Sequence, residues 1–254
     1  MQLKVQMEEM NWPSIRKAID SGFRTVLIPV GSIEQHGLHL PLFTDTLLAY
    51  DLCERIAHKL GLTLVAPTIR PGCSDHHLAF PGTVSISSRM LREMVDAYVR
   101  SLTKAGFRNF VIIPTHGGNF EPLRKGLSTL KKKHPRVKIY GYFDLQRFVR
   151  AMNDVAAQFG ISPEAAGAHS GFSETSCVLA VRKDLVDVSS AAPGYMGSFN
   201  EKVSRVLMRK GMTAFTKNGV LGDPTGSSAE AGEKIIQNLV DHIVASLTEM
   251  KLKT

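Results

Sequence analysis

The sequence predicts an α/β fold: a mainly parallel sheet with helices on both faces. Short β-branched apolar runs, Thr25-Val-Leu-Ile-Pro-Val30 and Asn109-Phe-Val-Ile-Ile-Pro114, read as buried strands. Segments with apolar residues at helical spacing separate them, Leu48, Leu52, Ile56 and Leu60 being one such set. The two types alternate along the chain, as parallel sheets with crossover helices require. At 254 residues the chain can bury a large core, and with no linker at which to divide it, residues 1–254 read as a single domain.

Taken in order, Asn11-Trp12-Pro13-Ser14 opens a helix to about Asp20, with Pro in the first turn and Trp12 as a packing residue. A strand over 25–30 and a helix over 45–59 follow, the helix closing at Gly61. A second strand is expected over 62–69, then a long Gly/Pro loop over 70–83, of a kind compact domains keep for a use such as lining a pocket. Ser87 or Ser88 caps a helix to about Lys104, with Gly106 beyond it. After the strand over 109–114 come a helix to about Lys133, a strand over 137–143 and a helix over 144–158. The apolar run over 177–181 is a strand or a helix, and another helix is expected over 200–210. Turns mark 218–224, and Ser227 with Glu230 reads as a capping box for a last helix to about Met250.

Composition excludes several functions. Hydrophobic residues at 43% and charged residues at 21% describe an ordinary soluble globule, without low-complexity tracts. The net charge of +8 favours anionic partners in bulk, yet the basic residues are scattered and the densest run, Lys131-Lys132-Lys133, falls at a helix end. With five Tyr and one Trp there is no aromatic platform for single-stranded nucleic acid, so no nucleic-acid partner is expected. Three widely spaced cysteines form neither a disulfide framework nor a zinc knuckle, and Cys53 and Cys177 read as buried thiols. The first fourteen residues lack the pattern of a signal peptide and no run is long and apolar enough to span a membrane, so a cytoplasmic location is expected.

The chemistry concentrates in three places. Gly31 to Thr46, GSIEQHGLHLPLFTDT, sets Glu34, His36, His39 and Asp45 where a strand gives way to a loop and helix. In an extended segment Glu34 and His36 share a side. Two carboxylates and an imidazole are a mixed O/N ligand set suited to Zn²⁺, Mn²⁺ or Fe²⁺, and a shared carboxylate can bridge two ions. The second place is His116-Gly117-Gly118-Asn119, between a strand's carboxyl end and a helix, where open α/β sheets hold ligands and glycines let backbone N–H groups approach an oxygen. In the third, His169 lies in a glycine-bearing loop and Glu174 enters an apolar segment, where a carboxylate is costly without a partner.

Gly31-Ser-Ile-Glu34-Gln-His36-Gly-Leu-His-Leu-Pro-Leu-Phe-Thr-Asp45, Phe80-Pro-Gly-Thr83, His116-Gly-Gly-Asn119, His169-Ser-Gly-Phe-Ser-Glu174-Thr-Ser and Gly219-Val-Leu-Gly-Asp-Pro224, in this order over nearly the whole chain, resemble the creatininase (creatinine amidohydrolase) family. The resemblance implies a three-layer α/β/α sandwich, often a homo-oligomeric hexamer built from dimers, with two divalent ions at the carboxyl ends of the strands. Carried over, Glu34 binds one ion, His36 the other, Asp45 bridges them and His116 completes a shell. Creatinine-hydrolysing members have a further ligand Glu two residues after the last His. Gly118 stands there in this chain, and Glu174 is the expected substitute.

The expected chemistry is hydrolysis of a C–N bond in a cyclic amide or formamide by a metal-bridged hydroxide acting on a small-molecule substrate. His169 shuttles the proton to the leaving nitrogen, and an N–H from Gly117 or Gly118 supports the oxyanion. His77 and Asn119 are expected substrate contacts, while for His39 and His76 a solvated or structural role stands beside a direct one. Tryptophans cover the substrate in creatinine-hydrolysing members, and Trp12 alone, in the first helix, does not suggest creatinine. The alternatives are ring-opening hydrolysis of an inositol-derived cyclic ketone, a metal-stabilised protein that binds nucleic acid or phosphate esters, and a non-catalytic metal-stabilised scaffold.

Overall fold

The computed structural model describes residues 4–252, so Met1 to Leu3 of the stretch read for a leader lie outside the described residues. Its elements are α1 (Trp12–Asp20), β1 (Thr25–Val30), α2 (Thr44–Leu60), β2 (Thr63–Val65), α3 (Ser88–Ala105), β3 (Asn109–Pro114) and α4 (Gly117–Lys133). They continue with β4 (Lys138–Gly141), α5 (Leu145–Gln158), α6 (Pro163–Ala166), α7 (Phe172–Arg182), α8 (Glu201–Lys210) and α9 (Ala229–Glu249). Four strands pair in the order β2-β1-β3-β4, all parallel, with Val30 opposite Pro114 at the carboxyl ends.

Alternation along the strands divides the interior into two cores. Val26, Ile28 and Val30 of β1 and Phe110 and Ile112 of β3 face α1, α3 and the Leu123 side of α4. Leu27, Val111 and Ile113 face α2, α5, α7 and α9 on the other side. Both faces of the sheet are thus covered, which is the three-layer sandwich and the reason its strands are apolar throughout.

Most helix starts follow their capping residues: Asn11, Ser87 and Asp144 accept the backbone N–H of Ser14, Met90 and Arg147. The last helix is different. Ser228, not Ser227, accepts the Ala231 N–H, while the Ser227 hydroxyl donates to the Pro224 carbonyl, so the expected capping box is replaced by a cap one residue later. The segment carrying Glu174 is helical. Strand β2 is shorter than expected because Pro67 has no N–H for the ladder; pairing resumes only at Ile69, whose N–H donates to Pro29 O (3.0 Å). β4 likewise stops at Gly141. Trp12 is 78% exposed, because α1 packs through Ile15, Ala18 and Ile19 instead. Cys53 and Cys177 are buried free thiols. Among the described residues no helix is long and apolar enough to cross a membrane.

Candidate metal centre

After β1 the chain crosses to β2 on one side, and β3 then lies on the other, so the order reverses between β1 and β3. Ligands of open α/β sheets bind in the crevice beyond such a point. Glu34 and His36 leave the end of β1 and His116 leaves the end of β3. Asp45 arrives from the first turn of α2, which approaches so closely that a Cβ on Gly31 would lie 2.5 Å from Thr46 Cα. Thr46 Oγ1 donates to Ser32 O (2.9 Å) and Thr115 Oγ1 to Asp45 O (2.8 Å), pinning that turn to both strand ends. Glu174 and His169 come from the start of α7 and the loop before it. Ser170, in the left-handed region at φ 56°, turns its N–H onto Glu174 Oε2 (2.5 Å).

Three ligand groups result among the described residues: Glu34 with Asp45 and His116, His36 with Asp45 and Glu174, and Glu34 with His36 and His169, the ligand atoms of each lying within 4.8 Å of one another. His116 Nδ1 is 3.1 Å from Glu34 Oε1 and 3.6 Å from Asp45 Oδ2, while His36 Nε2 is 3.7 Å from Asp45 Oδ1 and 4.0 Å from Glu174 Oε2. The far nitrogen of each ring meets a backbone carbonyl: His36 Nδ1 donates to Glu34 O (3.0 Å) and His116 Nε2 to Cys73 O (3.1 Å). Each imidazole therefore turns its other nitrogen towards the carboxylates, as ligand histidines do. Glu34 Oε1, Asp45 Oδ2 and His36 Nε2 are buried without a hydrogen-bond partner.

The electrostatics are those of a cation site. Burial raises Glu34, but His116, His77 and His36 pull it well below the usual carboxylate range. Burial pushes Glu174 up to about 7, with Asp45 and Glu34 adding to it against the pull of His36. For His36, burial is outweighed by Asp45, Glu174 and Glu34, which hold it up at about 10; for His116, Glu34 and Asp45 do the same, to about 9. His77 and His169 are held well below their usual value, burial being the main cause.

Two histidines left open between roles are both buried. His39 Nε2 lies 2.8 Å from Thr175 Oγ1, and His76 stacks behind His116 with ring centroids 5.5 Å apart. Asn119, expected as a substrate contact, ties two loops together: its Oδ1 accepts the Cys73 N–H (2.9 Å) and its Nδ2 donates to Gly31 O (2.8 Å). Gly118 is tightly enclosed, since a Cβ there would lie 2.3 Å from Cys73 O; Gly117 faces Leu145 at 3.8 Å. Gln35 was not anticipated. Strict alternation would turn it away from Glu34 and His36, but all three lie past the end of β1, and its amide is buried against His77 and His169.

The centre opens into a cavity of about 870 Å³ whose lining includes His77, Gly117, Gly118 and His169. Seven carboxylates and one arginine line it, the reverse of the chain's net charge of +8.

The creatininase family model, described as creatinine amidohydrolase, matches residues 8–247. This chain belongs to the creatininase family. It is 34% identical over 233 residues to the mycofactocin precursor peptide peptidase of Mycolicibacterium smegmatis, covering 90% of this chain and 86% of that one. To the creatinine amidohydrolase of Pseudomonas putida it is 26% identical over 98% of both chains. A solved mutant creatininase of the Zn-Zn type superposes with a TM-score of 0.80 at 26% identity, covering 98% of this chain and 99% of that one. The chain is accordingly a hydrolase of the creatininase-family amidohydrolase type, and its grouped carboxylates and imidazoles could hold a metal ion.

Proposed function

We propose that this chain, acting as one catalytic domain, hydrolyses the C–N bond of an amide with two divalent cations, Zn, Mn or Fe. Glu34, Asp45 and His116 would hold one and His36, Asp45 and Glu174 the other, with Asp45 shared. The observation that carries this reading is the set of buried atoms without partners, Glu34 Oε1, Asp45 Oδ2 and His36 Nε2, all turned into one volume. Leaving such atoms unsatisfied costs about 1–3 kcal/mol each, and more for charged groups, which cations would offset. When bound, such ions acidify water and polarise a carbonyl.

The remaining work falls to the chain's own side chains. His169, kept neutral by burial, turns Nδ1 towards the centre, 3.9 Å from Glu34 Oε1, where it can take a proton from attacking water and return it to the departing nitrogen. Gly117 and Gly118, at the amino end of α4, offer a favourable end of a helix to developing negative charge. Gly118 cannot carry a ligand side chain against Cys73 O, and Glu174 supplies the carboxylate beside His36.

A peptide-sized amide suits the cavity of about 870 Å³ better than a single small ring or formamide, and the similarity to a peptide peptidase points the same way. The acidic lining opposes a phosphate ester or nucleic acid. The test is metal analysis followed by amine release from short peptides, creatinine and formamides by the zinc- or manganese-loaded protein. Two ions per chain and release from peptides are expected. Turnover of creatinine or formamides alone would move the substrate back to the small amide, and release of ring-opened acid from a cyclic ketone without any amide cleavage would overturn the reaction class.

A further inference from the structure

Gln35 stands behind two cavity-lining histidines, and its hydrogen bonds leave one arrangement of their protons. The amide is oriented from both ends. Its Oε1 accepts from the Gly37 N–H (2.9 Å), which can only donate, and its Nε2 donates to Gly219 O (3.1 Å), which can only accept. Nε2 also lies 2.9 Å from His77 Nδ1 and 3.0 Å from His169 Nε2. One of its two hydrogens goes to Gly219 O, and because His169 Nε2 is itself 2.8 Å from the Gln35 backbone oxygen, which can only accept, the other goes to His77 Nδ1. Facing a donor, His77 Nδ1 must accept, so the ring hydrogen sits on Nε2, the atom 3.3 Å from Glu34 Oε1.

His169 is held the other way round. Its Nε2 lies 2.8 Å from the Gln35 carbonyl oxygen, an acceptor, so that nitrogen carries the hydrogen. The bare Nδ1 then faces the centre, 3.9 Å from Glu34 Oε1 and 4.0 Å from Glu174 Oε2. The two rings, with centroids 4.7 Å apart, thus carry hydrogen on the same atom but present opposite ends to the same carboxylate.

We infer that Gln35 is a positioning residue that makes His77 an N–H donor and His169 a bare-nitrogen acceptor on the two sides of the reacting centre. In the amide hydrolysis proposed above, on which this role in turnover rests, His169 takes the proton of water and His77 donates a hydrogen bond to the substrate oxygen as its negative charge grows. The same contacts account for the Gly219-Val-Leu-Gly-Asp-Pro224 segment, which the metal ligands leave unexplained. Gly219 is at φ +83°, and a Cβ on it would fall 1.8 Å from Gln35 Oε1, so only glycine admits the amide. Two residues on, the Leu221 N–H donates to His169 O (2.9 Å), bracing the second histidine from the same segment.

The test is two-bond proton–nitrogen correlation NMR of the zinc-loaded full chain labelled with ¹⁵N-histidine, with His77→Gln and His169→Gln used to assign the rings. In the unsubstituted chain both rings should carry hydrogen on Nε2. Gln35→Leu should leave His77 as a mixture of tautomers while His169, held by a backbone carbonyl, keeps its own; Gln35→Glu should move the His77 hydrogen to Nδ1. On a cleaved amide, both Gln35 substitutions should lower kcat about tenfold or more with KM changed less than about twofold and zinc content unchanged. Hydrogen on His77 Nδ1 in the unsubstituted chain, or a His77 pattern indifferent to Gln35→Leu, would overturn the inference even if a variant fails to fold. The stated tautomers without any amide turnover would leave the Gln35 assignment standing and remove the proposed reaction.

Discussion

The two ligand groups that share Asp45 are built to different standards. Glu34 and His116 hang from the ends of β1 and β3, adjacent strands whose spacing the ladder sets, and their side chains are 1% and 4% exposed. In the other group His36 is fully buried, but Glu174 rides on the first turn of α7, is 15% exposed, and depends on the left-handed Ser170 for its backbone donor. A strand-borne site is preorganised, whereas a site that borrows a helix start can yield when that helix shifts. The difference predicts one tightly held ion and one that exchanges.

The sharpest way to break the comparison is to remove what both halves share. Asp45→Asn should release both ions and lower turnover about a thousandfold, the scale of several kcal/mol of lost charge stabilisation; metal analysis showing two ions retained would refute the shared ligand. Removing an unshared ligand should separate the halves. Glu174→Gln should cost one ion and about 10- to 100-fold in activity while the ion beside Glu34 stays bound, and Glu34→Gln should lose the tighter ion. Equal losses from both variants, measured by chelator titration, would erase the distinction.

Acidity sharpens it further. In the ion-free protein His116 sits at about 9 and His36 at about 10, so both carry protons that incoming ions must displace near pH 7. Ion affinity should therefore weaken as pH falls, and uptake should release protons, read by calorimetry in buffers of different ionisation enthalpy. For folding the sign is opposite. A raised histidine pKa stabilises the ion-free fold most fully below its unfolded value of about 6.5, and that contribution is lost as pH rises through about 9 and then about 10. Thermal melts in chelator should thus fall over that range, and melts of the loaded protein should not follow. The smallest effect concerns the tie behind the strand-borne half: Asn119→Ala should cost about 1–3 kcal/mol in denaturant unfolding, because Gly31 O and the Cys73 N–H lose their partner, and should loosen the ion beside His116 more than the one beside Glu174.

Local signals explain why so much of this was legible. Asn11, Ser87 and Asp144 announce helices because a cap acts on its own next turn, and the runs at β1 and β3 announce buried strands because both faces must be apolar. Where the deciding partner is distant, the sequence was silent. The tie made by Asn119 was not legible because its partners, Gly31 and Cys73, are 88 and 46 positions away. Trp12 looked like a core residue, but which side of α1 meets the sheet depends on α1's neighbours.

The amino-acid order by itself determined which groups are able to ligate: carboxylates and imidazoles set at strand ends and helix starts, positions that periodicity and caps reveal. Only the tertiary structure decided which nitrogen of each ring looks inward and that Gln35 stands between His77 and His169. A ring's proton goes where its neighbours in space accept it, and those neighbours, the carbonyls of Cys73 for His116 and Gln35 for His169, are brought there by the folded chain.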